Sequence, residues 1–234
     1  EYTYFDFFVA FSALVDADGL DAERDEKKFN IRDYQYSSMN EINENFEWYY
    51  DKYKNPQTKM DEVRCDYMNQ LLSCEREVGI YSLYGPTGIG KTLAMVNWAI
   101  KHALKNGQQR IIIVVPFMTI ISQTLKILEE SLGENNVVAH FSDNDYHKEE
   151  NDFEKAMKNT EKLLATQNWD APVIITSNVQ YLESLLTCKV SRSRKRHNML
   201  NAVTMFDEAQ SIPYNYFTVF NDVATKMNEY NTTF

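Results

Sequence analysis

Ile80-Tyr81-Ser82-Leu83-Tyr84-Gly85-Pro86-Thr87-Gly88-Ile89-Gly90-Lys91-Thr92-Leu93 is the stretch on which the fold turns. A short apolar run, Ile80–Leu83, enters the octet Gly85-Pro86-Thr87-Gly88-Ile89-Gly90-Lys91-Thr92, and helically spaced apolar residues follow from Leu93 to Leu104. G-x-x-x-x-G-K-T between a strand and a helix is a phosphate cradle. The glycines let backbone amides turn toward phosphate oxygens, and the positive end of the next helix dipole meets them there. Lys91 is placed to reach the β and γ phosphates, and the Thr92 hydroxyl to ligate Mg²⁺. The expected ligands are therefore ATP and Mg²⁺. The specified residues and their flanks set the octet apart from a chance glycine-rich turn.

Downstream, short apolar runs alternate with helical ones. Ile111–Val115, Val137–Phe141, Val173–Thr176 and Val203–Phe206 are too short for helices and mostly β-branched. Leu93–Leu104, Ile120–Leu132 and Phe153–Leu164 have helical spacing, and the first two end at Asn106-Gly107 and Gly133, as helix C-caps do. Strands alternating with helices predict an α/β fold: a RecA-like parallel sheet with helices on both faces. Ligands of such sheets sit beyond the carboxyl ends of the strands. Asp207-Glu208 stands at one of those ends, just after Val203–Phe206. A carboxylate there is expected to face the phosphate loop across the adjacent strand edge. Asp207 would hold Mg²⁺ through water, and Glu208 would orient and deprotonate the attacking water. Alone, such a pair is a common solvated strand end; behind a phosphate loop it completes an ATPase site. Kinases that merely bind ATP do not need the adjacent Glu.

Upstream, residues 1–28 hold an apolar stretch, Phe5–Val15, expected to form one buried helix, and then an acidic segment around Asp16, Asp18, Asp21 and Glu23. Residues 29–75 form a polar and aromatic connector, with helical spacing at Val63, Met68, Leu71 and Leu72. Residues 76–234 are the ATP-binding region. A hydrophobic fraction of 44% supports a real buried core, and the formal charge of −10 argues against a simple nucleic-acid coat protein. It leaves room for a motor, whose basic groups need only line one groove. The three cysteines, Cys65, Cys74 and Cys188, lack zinc-knuckle spacing and are odd in number, which fits a reducing, cytoplasmic setting. No apolar run is long enough to span a membrane, and the first residues do not form a signal peptide.

Asp207-Glu208-Ala209-Gln210 resembles the DExx signature of superfamily 2 helicases, with Gln210 where many of them carry His or Asp. Val114-Val115-Pro116-Phe117-Met118-Thr119 and Ile174-Ile175-Thr176-Ser177-Asn178 resemble two further motifs of that superfamily. The resemblance implies that Pro116, Thr119 and Thr176 lie along one strand's phosphates, a contact without sequence reading, and that Gln210 links the ATP site to a second lobe. Gly85 to Thr124, Asn168–Pro172, Asn178-Val179-Gln180 and Ser191-Arg192-Ser193-Arg194-Lys195-Arg196-His197-Asn198 look like the helicase–nuclease of type I CRISPR interference. Phe11-Ser12-Ala13-Leu14-Val15-Asp16-Ala17-Asp18 resembles the close of that family's HD nuclease domain.

That resemblance implies a prokaryotic machine in which an HD domain with a transition-metal centre degrades single-stranded DNA. A two-lobed motor pulls the strand, and a guide-RNA surveillance complex recruits it. It makes Asp18, with Asp16 as the alternative, a metal ligand. The other expected ligands are absent: His102, His140, His147 and His197 all lie downstream. The chain is expected to be a fragment, lacking the second lobe and most of the HD domain, and to hydrolyse ATP slowly if at all. The basic tract Lys189, Arg192, Arg194, Lys195 and Arg196 is expected to grip nucleic acid or a neighbouring domain. Two other functions compete: an RNA or DNA remodelling ATPase of the same superfamily, and a nucleotide-dependent docking module that does not translocate.

Overall fold

The computed structural model describes residues 3–27, 35–74, 76–116, 118–141, 162–187, 189–212 and 214–234. In chain order these form α1 (Tyr4–Lys27), α2 (Met39–Tyr50), α3 (Lys59–Ser73), α4 (Lys91–Asn106), β1 (Arg110–Val115), α5 (Met118–Leu132) and β2 (Val137–His140). There follow α6 (described over 162–168), β3 (Val173–Ser177), α7 (Asn178–Leu186), α8 (Val190–Ser193), β4 (Ala202–Phe206) and α9 (Tyr214–Asn228). Of the expected helix Phe153–Leu164, residues 153–161 lie outside the described residues.

The strands pair in the order β2-β3-β1-β4, all parallel. Their sequences explain why both faces are covered. Successive side chains point to opposite faces, and in β1 every residue from Ile111 to Val115 is apolar. Ile111, Ile113 and Val115 join a core with Ile42 and Phe46 of α2, Val96 and Ile100 of α4, and Leu128 and Leu132 of α5. Ile112 and Val114 join another with Trp169, Tyr181 of α7, Met199 and Met227 of α9. The architecture is the α/β, RecA-like one that the alternation of runs implies. The connector region is packed into it, since α2 supplies two fully buried side chains to the first core.

Three expectations are corrected. Ile80–Leu83 is not a strand of the sheet. It is extended and partly exposed, and its backbone ladder consists of Tyr81 N–H to the Phe234 carbonyl (2.8 Å) and Phe234 N–H to the Gly79 carbonyl (2.9 Å). Second, Asp207 does not border the phosphate-loop segment across one strand edge. Thr233 bridges Val203 in parallel, so the segment 232–234 lies between them. Buried hydrogen bonds hold it there: His102 Nε2 with Thr233 Oγ1 (2.9 Å), and Gln108 Nε2 with Thr233 Oγ1 (3.0 Å). Third, α1 is not a buried helix ending before the acidic segment. It runs on to Lys27, and Phe7 and Leu14 are exposed while Ser12 and Asp16 are buried. The face that docks is mixed: Ser12 and Asp16 are buried, and Phe5 and Val9 pack against the second core.

Candidate active site

The phosphate loop forms because Gly88 (φ +81°) and Gly90 (φ +86°) occupy the left-handed region, where a side chain is strained. Gly90 is the N-cap of α4 and no side chain caps the helix, so the amides of its first turn remain open to an anion. Lys91 and Thr92 are the first two residues of α4 and are half-buried. Ile89 is buried, whereas Pro86, Thr87 and Gly88 are exposed.

Asp207 follows β4, and its N–H continues the ladder by donating to the Val114 carbonyl at 2.9 Å. Burial holds its carboxyl above the ordinary range, and the Glu208 charge adds to the effect. Lys91 and the Glu208 amide pull it back down. The start of α4 and the end of β4 thus lie within electrostatic reach of one another. Glu208 is exposed and holds φ +58°, an uncommon conformation for a residue with a side chain. Gln210 donates from Nε2 to Glu208 Oε2. The turn beyond is tied to α7 by Asn178 Nδ2 donating to Ser211 Oγ at 2.6 Å. The donor set of Thr92 hydroxyl and Asp207 carboxylate is the hard oxygen chemistry that Mg²⁺ takes. A carboxyl whose ionisation burial opposes gains from a cation beside it, so the residues fit that metal.

Pro116 follows β1 at the same edge of the sheet, and Thr119 is in the first turn of α5 with its side chain outside the description; Phe117 lies outside the described residues. Thr176 is corrected as a phosphate contact. It is fully buried and its Oγ1 donates to the His140 carbonyl at 2.7 Å, stitching β3 to β2.

The basic tract is also corrected in part, because three of its cations are inside the protein. Arg194 donates from Nε to Asp16 Oδ1 (2.9 Å), from Nη2 to Glu23 Oε1 (3.0 Å) and from Nη1 to Gln167 Oε1 (2.8 Å). Arg196 is buried, donates to the Leu185 and Thr187 carbonyls, and lies 4.8 Å from the centre of the Phe8 ring. Lys195 is buried as well. Arg192 pairs with Glu183 at the surface. Of the alternatives for this tract, Arg194 and Arg196 take the contact with a neighbouring element, α1.

Asp18 is exposed, and Asp16 is held by Arg194 and by Asn168 Nδ2 at 3.0 Å. Among the described residues no three His, Cys, Asp or Glu side chains come together as a metal site. The described residues do not fit a transition-metal centre. Sequence reasoning missed Arg64 and Tyr67 of α3, which touch the phosphate loop; both sit in the region read as connector, where no motif marks them.

A family model described as type III restriction enzyme, res subunit (ResIII), matches residues 28–232. No curated protein matches the chain. The matched span takes in α2, α3, the phosphate loop and Asp207-Glu208, and leaves out α1.

Proposed function

Because the chain belongs to the ResIII family and carries an ATPase lobe of helicase superfamily 2 type, we propose that it couples ATP hydrolysis to movement along single-stranded DNA. In this reading it is the first motor lobe of a type I CRISPR interference helicase–nuclease, acting in the prokaryotic cytoplasm. The observation that supports the ATPase chemistry is that Lys91, at the start of α4, acts electrostatically on the carboxyl of Asp207, at the end of β4, with Glu208 next to it in the chain.

The roles follow from position. Amides of the loop and of the first turn of α4 bind the phosphate oxygens, and Lys91 reaches the terminal phosphates. Thr92, and Asp207 through water, would hold Mg²⁺, which would neutralise charge on the β and γ phosphates. Glu208, projecting from the strained turn beside them, orients the attacking water and accepts its proton. Gln210 fixes Glu208 through its amide and stands where a second lobe would meet the site. That second lobe supplies the cation that completes the transition state, so turnover by this lobe alone is slow.

A contact within the chain supports the more specific family. The two segments whose sequences resemble that helicase–nuclease, Phe11–Asp18 and Ser191–Asn198, pack on each other. Ser12 Oγ donates to the Ser193 carbonyl at 2.5 Å, and Asp16 pairs with Arg194. In this reading α1 is the last helix of a nuclease domain seated on the motor. The remaining HD domain, its metal and a guide-RNA surveillance complex are the partners that the resemblance implies.

ATP turnover tests the proposal, measured for the chain supplied with a second motor lobe, without nucleic acid and with single-stranded DNA or RNA. Stimulation by DNA that is lost in Lys91→Ala is the expected result. Stimulation by RNA alone would make this an RNA remodelling ATPase. Tight ATP binding without turnover under every condition would leave a docking module.

A further inference from the structure

α3 carries no part of the phosphate-loop motif, yet it holds that loop at two points. Arg64 donates from Nε to the Gly88 carbonyl at 3.1 Å. One helical turn later, the Tyr67 hydroxyl donates to the Tyr84 carbonyl at 3.4 Å. Tyr67 also closes on Gly85, where a Cβ would stand 2.9 Å from the Tyr67 hydroxyl oxygen.

The anchor is itself fixed. Arg64 donates from Nη1 to Asp61 Oδ1 at 3.1 Å, and Asp61 forms the capping box of α3 with Thr58. The guanidinium is therefore oriented before it meets the loop.

The trans peptide gives these contacts a consequence. The C=O and N–H of one peptide unit point in opposite directions. Drawing the Gly88 carbonyl toward α3 sends the Ile89 N–H to the other side. Drawing the Tyr84 carbonyl the same way does so for the Gly85 N–H. These are amides of the glycine-spaced octet, and Gly88 and Gly90, both at positive φ, leave the loop several other conformations if the carbonyls are released.

We propose that Arg64 and Tyr67 are positioning residues of the phosphate loop: they pull two carbonyls outward so that the paired amides face the nucleotide phosphates. The proposal rests on the reading of the loop as the ATP site. It makes α3 a second determinant of phosphate affinity, outside the motif.

The test compares Arg64→Ala, Arg64→Lys, Tyr67→Phe and Lys91→Ala with the wild-type chain. Binding of Mg²⁺·ATP and of adenosine is measured by calorimetry, beside the melting temperature and the amide spectrum of ¹⁵N-labelled protein. Arg64→Ala is expected to weaken ATP by about tenfold, the loss of one charge-assisted hydrogen bond. Adenosine affinity and melting temperature should stay at the wild-type values. Lys, which also donates to a carbonyl, should restore most of the ATP affinity, and Tyr67→Phe should show a smaller loss of the same kind. Without nucleotide, the Ile89 amide resonance should shift in Arg64→Ala and return in Arg64→Lys. If Lys91→Ala loses ATP while Arg64→Ala stays within about twofold of wild type, the missing hydrogen bond does not matter and the proposal is overturned with the ATP site intact. If the wild type binds ATP no better than adenosine and Lys91→Ala changes nothing, the ATP reading falls; an unmoved Ile89 resonance then overturns the positioning role too.

Discussion

Replacing Asp16 by Ala removes one carboxylate from the most enclosed ion pair among the described residues. The side chains of Arg194 and Asp16 are 11% and 6% exposed and meet at 2.9 Å. The second Asp16 oxygen accepts from Asn168 Nδ2 at 3.0 Å, and His197 Nε2 lies 3.5 Å away. His197 adds little cationic charge, since burial holds its pKa below the usual value against the opposing pull of Asp16. After the change, Arg194 keeps Glu23 at 3.0 Å and Gln167 at 2.8 Å. The guanidinium stays buried and only partly compensated. Breaking such a pair costs about 3–5 kcal/mol, and the surviving Glu23 contact argues for the lower end, ~3 kcal/mol. At roughly 2–4 °C per kcal/mol for a chain of this size, the melting temperature should fall by roughly 6–12 °C. Removing both partners, as Asp16→Leu with Arg194→Met, should cost far less, because no uncompensated charge remains. Thermal and urea unfolding of the wild type, both single variants and the double variant closes the cycle. A single variant that loses less than about 1 kcal/mol would refute the reasoning, since an exposed pair is worth that much.

Three further outcomes follow from other sites. Burial, with Lys195 and Arg192 as further causes, pushes His140 down to about 3, so the folded protein keeps it neutral while the unfolded chain takes up a proton below pH 6.5. Stability is therefore lost as pH falls: by about 2 kcal/mol between pH 7 and 5 from this group, read as the difference in pH dependence between wild type and His140→Gln in urea unfolding. The Asp207 carboxyl is held above its usual range, so the folded state favours the protonated form and stability falls as pH rises through that range. Asp207→Asn should accordingly melt no lower than wild type at pH 7 while losing Mg²⁺-dependent ATP binding, a separation that melting curves with and without Mg²⁺·ATP would show. Thr176→Val should cost about 1–3 kcal/mol by leaving the His140 carbonyl without its hydroxyl donor, yet leave single-stranded DNA affinity unchanged in a fluorescence titration.

The parts legible in the sequence were those whose signals are local. Gly88, Gly90, Lys91 and Thr92 work within one turn of chain, and the apolar runs of β1, β3 and β4 carry their own strand signal. The parts that were not legible depend on contacts between distant positions. Nothing around Ile80 announces that this segment pairs with Phe234, or that Thr233 separates it from Val203. Thr176 sits in a motif-like segment, but whether its hydroxyl faces solvent or β2 is set by the pleat of a neighbouring strand. Arg194 and Arg196 look like a solvated basic run until α1 covers them. Asp16, a candidate metal ligand by resemblance, is committed to Arg194, 178 residues away.

The central claim is that Lys91 binds the phosphates and Glu208 activates the water. It is tested most directly by measuring Mg²⁺·ATP binding and turnover on the same preparations of wild type, Lys91→Ala and Glu208→Gln, with single-stranded DNA and a second motor lobe present. The account predicts that Lys91→Ala loses binding, whereas Glu208→Gln binds ATP as well as wild type and does not hydrolyse it. Wild-type turnover in Glu208→Gln, or undiminished ATP binding in Lys91→Ala, would contradict it.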